Sequence, residues 1–523
     1  MSFEVVTGGI EQKSLRALAR ANVRVRAGVE LKTHAKKILS ATSNCFLSAI
    51  EKGESEVRIN GRVVTRVIYV DEFDAFNSEE RTDVFSEKVV VKGFDLNGEV
   101  SVTASLLETV CAELRQPQTV VSSPEGQSTL LSTIDVESLI ELNLMGLVGG
   151  EIKFASDIRG NVEARHERAQ VATFARMIET GFSVDEAIEI DRHCSGVLGV
   201  DVGAFVRDID CNDGRVIVKG VVTANVIGVK TTEFSAIYNT GYEFDFNQTL
   251  NLADISFEDT VLGNVAVSGV TIKANNRGEK NELMLNVDLM FSGSVVKTME
   301  VEFVADAFGF DNVLSMTTGG AQHTVCLPQA NVVADVENNV VMPNSSPFIS
   351  KVLSVNGARI SGLTVAGGEE KAVVEGFLTA SVMYECEERF IHTHEVVAPF
   401  NAVSKVDGLG LGHSVSANAK VLSCGIKARR GKELLIDARL GLNLTATSVT
   451  NVQVTTDVVL GELKQRDDSA ITIYIVNERE TLWDVAKRIN ISRDEITRQN
   501  PFVADGLKVG DKLYIYRQAV VNF

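Results

Sequence analysis

Along most of the chain apolar and polar side chains alternate with a period of two. Val63, Thr65, Val67 and Tyr69 share one side of a segment whose other side carries Val64, Arg66 and Ile68, the pattern of a strand rather than a helix. Several runs are apolar on both sides, which suits the interior of a sandwich. The pattern also recurs. A short apolar pair (Ile38-Leu39, Val197-Leu198, Val352-Leu353) precedes an alternating strand that ends in glycine (Gly61, Gly220, Gly376), at spacings of 23, 23 and 24 residues. After each glycine comes another strand, whose eighth residue is Tyr69, Gly228 and Tyr384 in turn, and each unit closes on a similar strand near 138–142, 282–286 and 433–437. The glycine-to-glycine periods of 159 and 156 residues exceed the roughly 20–50 residues of a solenoid repeat, so the pattern predicts a triplicated domain.

Beyond residue 470 the period changes. Ile473 to Val476 reads as a short strand, and Thr481 opens a helix with Leu482, Val485, Ala486 and Ile489 at i, i+3, i+4 and i+7. Thr481 and Asp484 have capping-box spacing, and Ser492 to Glu495 repeats the signal before a second helix that Pro501 ends. A closing strand covers Lys512 to Tyr516. On Tyr474, Val476, Thr481-Leu482-Trp483, Ala486, Asn500, Leu507, Gly510, Leu513 and Ile515, this βααβ module resembles a LysM domain. The resemblance implies a shallow groove for N-acetylglucosamine polymers, between the first strand–helix loop and the loop after the second helix. Its candidate residues are Arg479, Glu480, Thr481, Leu482, Trp483, Asn500, Pro501, Phe502 and Asp505. Where the family usually has Gly-Asp-Thr this chain has Arg479-Glu480-Thr481, and a glycine there lets backbone approach a sugar closely.

The repeats themselves resemble the SPOCS domain, on the apolar pair, the strand-glycine and the following strand. The expected fold is therefore mainly β: a lead-in at 1–20, SPOCS-like repeats at 21–155, 156–310 and 311–458, a polar linker at 459–469 and the LysM-like domain at 470–518. Within this scheme the spacing of Leu15, Leu18 and Ala19 suggests a helix from Glu11 to about Ala21, residues 116–126 read as a solvated loop, and residues 309–320 as a connection without strand preference. SPOCS repeats followed by LysM are similar to the SipL-type spore coat morphogenetic proteins. That resemblance implies a scaffold in the mother-cell cytoplasm at the forespore surface, with the LysM-like domain docking a coat morphogenetic ATPase rather than glycan.

Charge and composition narrow the choices. The formal net charge of −19, from 70 acidic and 51 basic residues, argues against nucleic acid and anionic lipid as partners. The seven scattered cysteines form no C-x-x-C pair and suit a reducing compartment. The first residues lack the basic-then-apolar pattern of a secretory signal, and no apolar run of about 18 residues occurs to span a membrane. His392 and His394 share a strand face without an identifiable third metal ligand. The glycines of 408–412 fall at every second position and lack the phosphate-loop lysine. Cys211-Asn212-Asp213-Gly214 and Arg429-Arg430-Gly431-Lys432 read as turns. No carboxylate pair, triad or cofactor signature stands out, so the expectation is a non-enzyme without metal or cofactor. Two readings follow: an adaptor for a coat ATPase, or a peptidoglycan or N-acetylglucosamine-oligomer binder.

Overall fold

The computed structural model describes residues 3–92, 99–121, 128–190, 193–230, 237–275, 282–465 and 469–517, without the side chains of 112–121, 128–131, 274–275, 321–323 and 505. Strands dominate. The first unit contains β1 (Glu4–Leu31), β2 (Ala35–Lys52), β3 (Glu56–Asp71), β4 (Phe76–Val90), β5 (Val100–Val121) and β6 (Ser128–Arg159). The long β6 pairs with β1 on one edge and β5 on the other, while β2, β3 and β4 form a meander.

The same order returns in β7 (Val162–Glu189), β8 (Cys194–Asn212), β9 (Arg215–Lys230), β10 (Ile237–Asn251), β11 (Thr260–Asn275) and β12 (Glu282–Gly309). In the third unit the first long strand is split into β13 (Asn312–Cys326) and β14 (Ala330–Val341), which lie end to end along β19 (Glu433–Leu463). Its other strands are β15 (Ile349–Gly367), β16 (Lys371–Cys386), β17 (Ile391–Lys405) and β18 (Ser414–Ala428). The chain ends in β20 (Ile471–Ile475), α1 (Leu482–Ile489), α2 (Arg493–Gln499), a 3-10 turn (Pro501–Asp505) and β21 (Lys512–Tyr516).

In each unit the meander covers one half of the long sheet. In the first, Val57, Ile59 and Val63 of β3 pack on Val23, Val25, Ile140 and Leu142. The other halves of the long strands run on beyond the sandwiches and meet as a three-sided stem, through Ile10 and Phe154, Val171 and Phe303, and Val454. At the far end Leu39 and Ile68, Leu198 and Ile227, and Leu353 and Met383 join in one buried cluster. The apolar pairs thus have a common destination: each contributes its leucine to the point where all three units touch. Between this plug and the stem lies a chamber of about 3020 Å³, bounded by Leu39 and Leu353 at one end and Leu15, Phe174 and Leu262 at the other.

The recurrent glycines are explained by ring packing. Gly61, Gly220 and Gly376 stand opposite Phe85, Phe246 and Phe400 on the neighbouring strand, and in each case the phenyl ring lies over the glycine, where a Cβ would collide with it. Gly228 follows the same rule. The ring of Tyr238, its partner on β10, occupies the space a side chain there would need, whereas Tyr69 and Tyr384 fill the equivalent positions themselves and are buried.

Several local expectations change. Residues 11–21 are strand, not helix: Leu15 faces Leu147 and Ala19 faces Leu144, with a bulge between Ala17 and Ala19. That bulge shifts the alternation by one residue and produces the apparent helical spacing. Residues 312–320 belong to β13, because β19 supplies hydrogen-bonding partners for them. Residues 459–463, assigned to the linker, extend β19 as far as the pairing of Leu463 with Asn312. Of the loop expected at 116–126, residues 116–121 extend β5 and 122–126 lie outside the described residues. The turn sequences at 211–214 and 429–432 do join strands, β8 to β9 and β18 to β19.

Gly220→Ala should lower stability by about 2–3 kcal/mol, as overpacking does, because the new methyl meets both the Phe246 ring and the Phe205 carbonyl. Gly241→Ala, with open space around it, should leave stability unchanged or raise it by up to about 1 kcal/mol. Denaturant midpoints of the two variants check the contrast.

Candidate functional site

The C-terminal module is built on its caps. The Thr481 hydroxyl accepts the Asp484 N–H at 3.3 Å and the Asp484 carboxylate accepts the Thr481 N–H at 2.9 Å, so α1 opens on a complete capping box. The Ser492 hydroxyl accepts the Glu495 N–H and starts α2. Asn500, buried, ties the end of α2 to β21: its amide donates to the Tyr514 carbonyl at 3.0 Å and its oxygen accepts the Tyr514 N–H at 2.8 Å.

The strand–helix loop is equally fixed. The Glu480 carboxylate accepts from the Asn477 N–H at 2.8 Å, the Tyr474 hydroxyl at 2.8 Å and Arg488 at 2.5 Å. The Asn477 backbone bond, with Tyr474 and Arg488 behind it, holds the Glu480 carboxyl below its usual pKa. Arg479 sits at φ +63°, a left-handed conformation that favours glycine. The residue that departs from the LysM pattern therefore sits in a backbone conformation that suits glycine.

The nine residues singled out from the sequence divide by role. Arg479, Thr481, Pro501 and Phe502 are exposed, Phe502 at 44%. Glu480 and Leu482 are half-buried, and Asn500 and Trp483 point inward. The side chain of Asp505 lies outside the described residues, and its backbone closes the 3-10 turn. Trp483 does more than join α1 to the small sheet. It is 4% exposed and its indole N–H donates to the Asp306 carboxylate at 2.7 Å. Its ring meets Phe308 edge-on with centroids 5.3 Å apart. The guanidinium groups of Arg493 and Arg165 lie 5.0 and 5.7 Å from its ring centre, contacts worth about 0.5–2 kcal/mol each.

Around the indole, α1 and α2 are clamped to the tip of the stem. Lys487 donates to both oxygens of Asp306, at 2.7 and 2.9 Å. Arg493 donates through its side chain to Glu163 at 2.6 Å and through its backbone N–H at 3.1 Å. The Asn490 amide reaches the Phe310 carbonyl at 2.6 Å. Phe308 of β12 sits in the module's own core beside Val485, Ala486, Ile496 and Leu513.

Residues 474–515 match the LysM domain. The match covers the C-terminal module alone, and its strand–helix–helix–strand order agrees with it. No curated protein and no solved structure matches the chain. Among the described residues no helix is long and apolar enough to cross a membrane. Among them, too, no group of three or more His, Cys, Asp or Glu side chains is placed to hold a metal. His392 instead stacks on Tyr384, with ring centres 5.7 Å apart.

Sequence reasoning missed Asp306, Glu163 and Phe308. A signal for the aspartate was present. Asp157, Asp306 and Asp457 lie in the last stretch of pairing of the three closing strands, each two residues after a buried Ala155, Val304 or Thr455 and just before an apolar residue. Each lies at a bulge and accepts the N–H of the next residue. In the second unit this same carboxylate also receives the LysM domain.

Burial alone would raise the Asp306 carboxyl, but hydrogen bonds from Lys487 and Trp483, with the Lys487 charge, outweigh it and hold the pKa below the usual aspartate value. A depressed carboxylate stabilises the docked state above its unfolded pKa of about 3.9 and loses that contribution as pH falls through the lower folded value. Trp483 is the chain's single tryptophan, so its emission reports docking. Emission should stay constant from pH 7 to about 5 and move to the red only below about 3.9. Asp306→Ala should show the red-shifted emission already at neutral pH, with strand content intact by circular dichroism.

Proposed function

We propose that the chain is a non-enzymatic scaffold whose β units mount the LysM domain, and that this domain binds an N-acetylglucosamine polymer such as peptidoglycan. The family match over residues 474–515 carries the reading. The binding surface in this reading runs from the Arg479–Leu482 loop to the Pro501–Asp505 turn. Both loops are held by hydrogen bonds, so little order is lost on binding, and Phe502 offers an exposed ring to a sugar face.

A second reading, favoured by Arg479, is docking of a protein. A long cation stands where LysM domains usually carry a glycine, and charged rims of this kind set specificity between proteins. In that reading the partner is a coat morphogenetic ATPase, the three units are SPOCS-like repeats, and the scaffold acts in the mother-cell cytoplasm during spore coat assembly.

Co-sedimentation of the full chain with insoluble peptidoglycan tests the first reading. Retention should fall several-fold in Phe502→Ala and rise in Arg479→Gly, which removes the obstructing side chain and relieves about 1 kcal/mol of left-handed strain. No retention by either form, with a purified coat ATPase held by the wild type and released by Arg479→Gly, would replace the glycan with the protein partner.

A further inference from the structure

The small sheet of the LysM domain has one closed edge and one open edge. The Arg517 N–H donates to the Ala470 carbonyl and the Val476 N–H to the Asp511 carbonyl, each at 3.0 Å, and the register sets Ile471, Ile473 and Ile475 opposite Tyr516, Tyr514 and Lys512. In an antiparallel ladder the residues whose N–H and C=O face the partner strand alternate with those whose groups face away. Residues 470, 472, 474 and 476 therefore face β21, and the N–H and C=O of Ile471, Ile473 and Ile475 point the other way. On β21 the corresponding outward groups are taken. Those of Tyr514 meet the Asn500 amide, and the Tyr516 N–H and C=O meet the Gln499 amide at 2.7 and 3.0 Å. Among the described residues no hydrogen bond reaches the outward groups of β20, and the sheet has two strands only.

The side chains along this edge are unguarded as well. Ile471, Ile473 and Ile475 are each more than half exposed, on the face that also shows Tyr514 and Tyr516. Edge strands ordinarily carry charge or proline, which keeps other chains from pairing with them. The meander edges of this protein follow that rule. Their exposed positions include Glu80, Arg81 and Lys88 on β4, Glu243 and Asp245 on β10, and Glu395, Pro399 and Lys405 on β17. Residues 471–476, Ile-Thr-Ile-Tyr-Ile-Val, contain no charge, proline or glycine. Six residues of high strand propensity on an open edge are a template for a further strand.

We propose that β20 is a dimer seam, pairing antiparallel with β20 of a second copy of this chain about a twofold axis at Ile473. In that register Ile473 faces its own copy and Ile471 faces Ile475, so the three residues with outward groups on one strand meet the three on the other as hydrogen-bonded pairs. The four strands run as one sheet, and the isoleucines cover one another across the seam. Charge favours a second copy meeting at this end. Residues 471–517 hold eight basic and seven acidic side chains, against 51 and 70 in the whole chain, so the β units of two copies repel while their LysM domains do not. Area sets the strength. The three isoleucines present on the order of 300 Å² per copy, well under the roughly 800 Å² per partner of a standard interface, so the dimer is weak and depends on concentration.

Sedimentation equilibrium of the full chain from about 5 to 200 μM tests the proposal. A monomer–dimer equilibrium is expected, its dissociation constant raised tenfold or more by Ile473→Lys, which sets two ammonium groups together at the axis. Ile471→Lys with Ile475→Glu places opposite charges across the seam and should keep the dimer, whereas Ile471→Lys with Ile475→Lys should separate it. The substituted side chains are exposed, and unchanged Trp483 emission and circular dichroism confirm that each variant is folded. Hydrogen exchange in a peptide spanning 471–476 should slow as the concentration rises. A monomer throughout the range leaves the edge to a strand of some other protein and overturns the proposal. So does a dimer unmoved by Ile473→Lys, or one that forms without slowing exchange at 471–476. Protection of those amides at every concentration, lost on removing residues 518–523, would assign the edge to the chain's own tail and equally overturn it.

Discussion

The arrangement of the β units depends on one apolar contact made three times. Leu39, Leu198 and Leu353, backed by Ile68, Ile227 and Met383, share a single cluster. Each such side chain gains about 1.5–3 kcal/mol on leaving water, and none can do so within its own unit, because its strand face points toward the other two. The plug and the stem together hold three sandwiches around a space that they do not fill. With its two ends closed by hydrocarbon, the chamber follows from the way the units meet.

Similarly built units then differ where they meet. Arg66 and Asn225 reach across two seams, whereas the third is tied by Lys37, whose ammonium donates to the Ile391 carbonyl at 2.6 Å. Of three equivalent aspartates at the strand ends, Asp306 alone accepts from an indole and an ammonium of the C-terminal domain. Asp157 has His166 at 3.4 Å. A substitution pattern within a repeated frame has thereby given it one docking point.

The LysM domain is consequently a fixed extension of the stem rather than a tethered bead. Its tryptophan, which as an aromatic on a helix is a natural candidate for a partner contact, is committed to Asp306, Phe308 and two arginines. Arg479 and Phe502, on the rim formed by the strand–helix loop and the 3-10 turn, remain exposed. Holding the domain by two carboxylates, Asp306 and Glu163, fixes the direction in which that rim faces.

The sequence by itself determined the local matters. Period-two alternation specified strands and the Thr481–Asp484 and Ser492–Glu495 signals specified two short helices, because each is a relation between near neighbours in the chain, and the recurrence of apolar pairs and glycines revealed three units. It misled where a bulge shifted the phase, as at Leu18, and where strand pairing came from residues far away, as for 312–320 on β19. Tertiary structure alone decided that the leucines converge, that Phe rings lie over the recurrent glycines and that Trp483 faces inward. The leucine cluster and the Trp483 contacts join residues more than a hundred positions apart and the phenyl–glycine contacts join neighbouring strands, and local pattern carries no information about which surface will cover a given face.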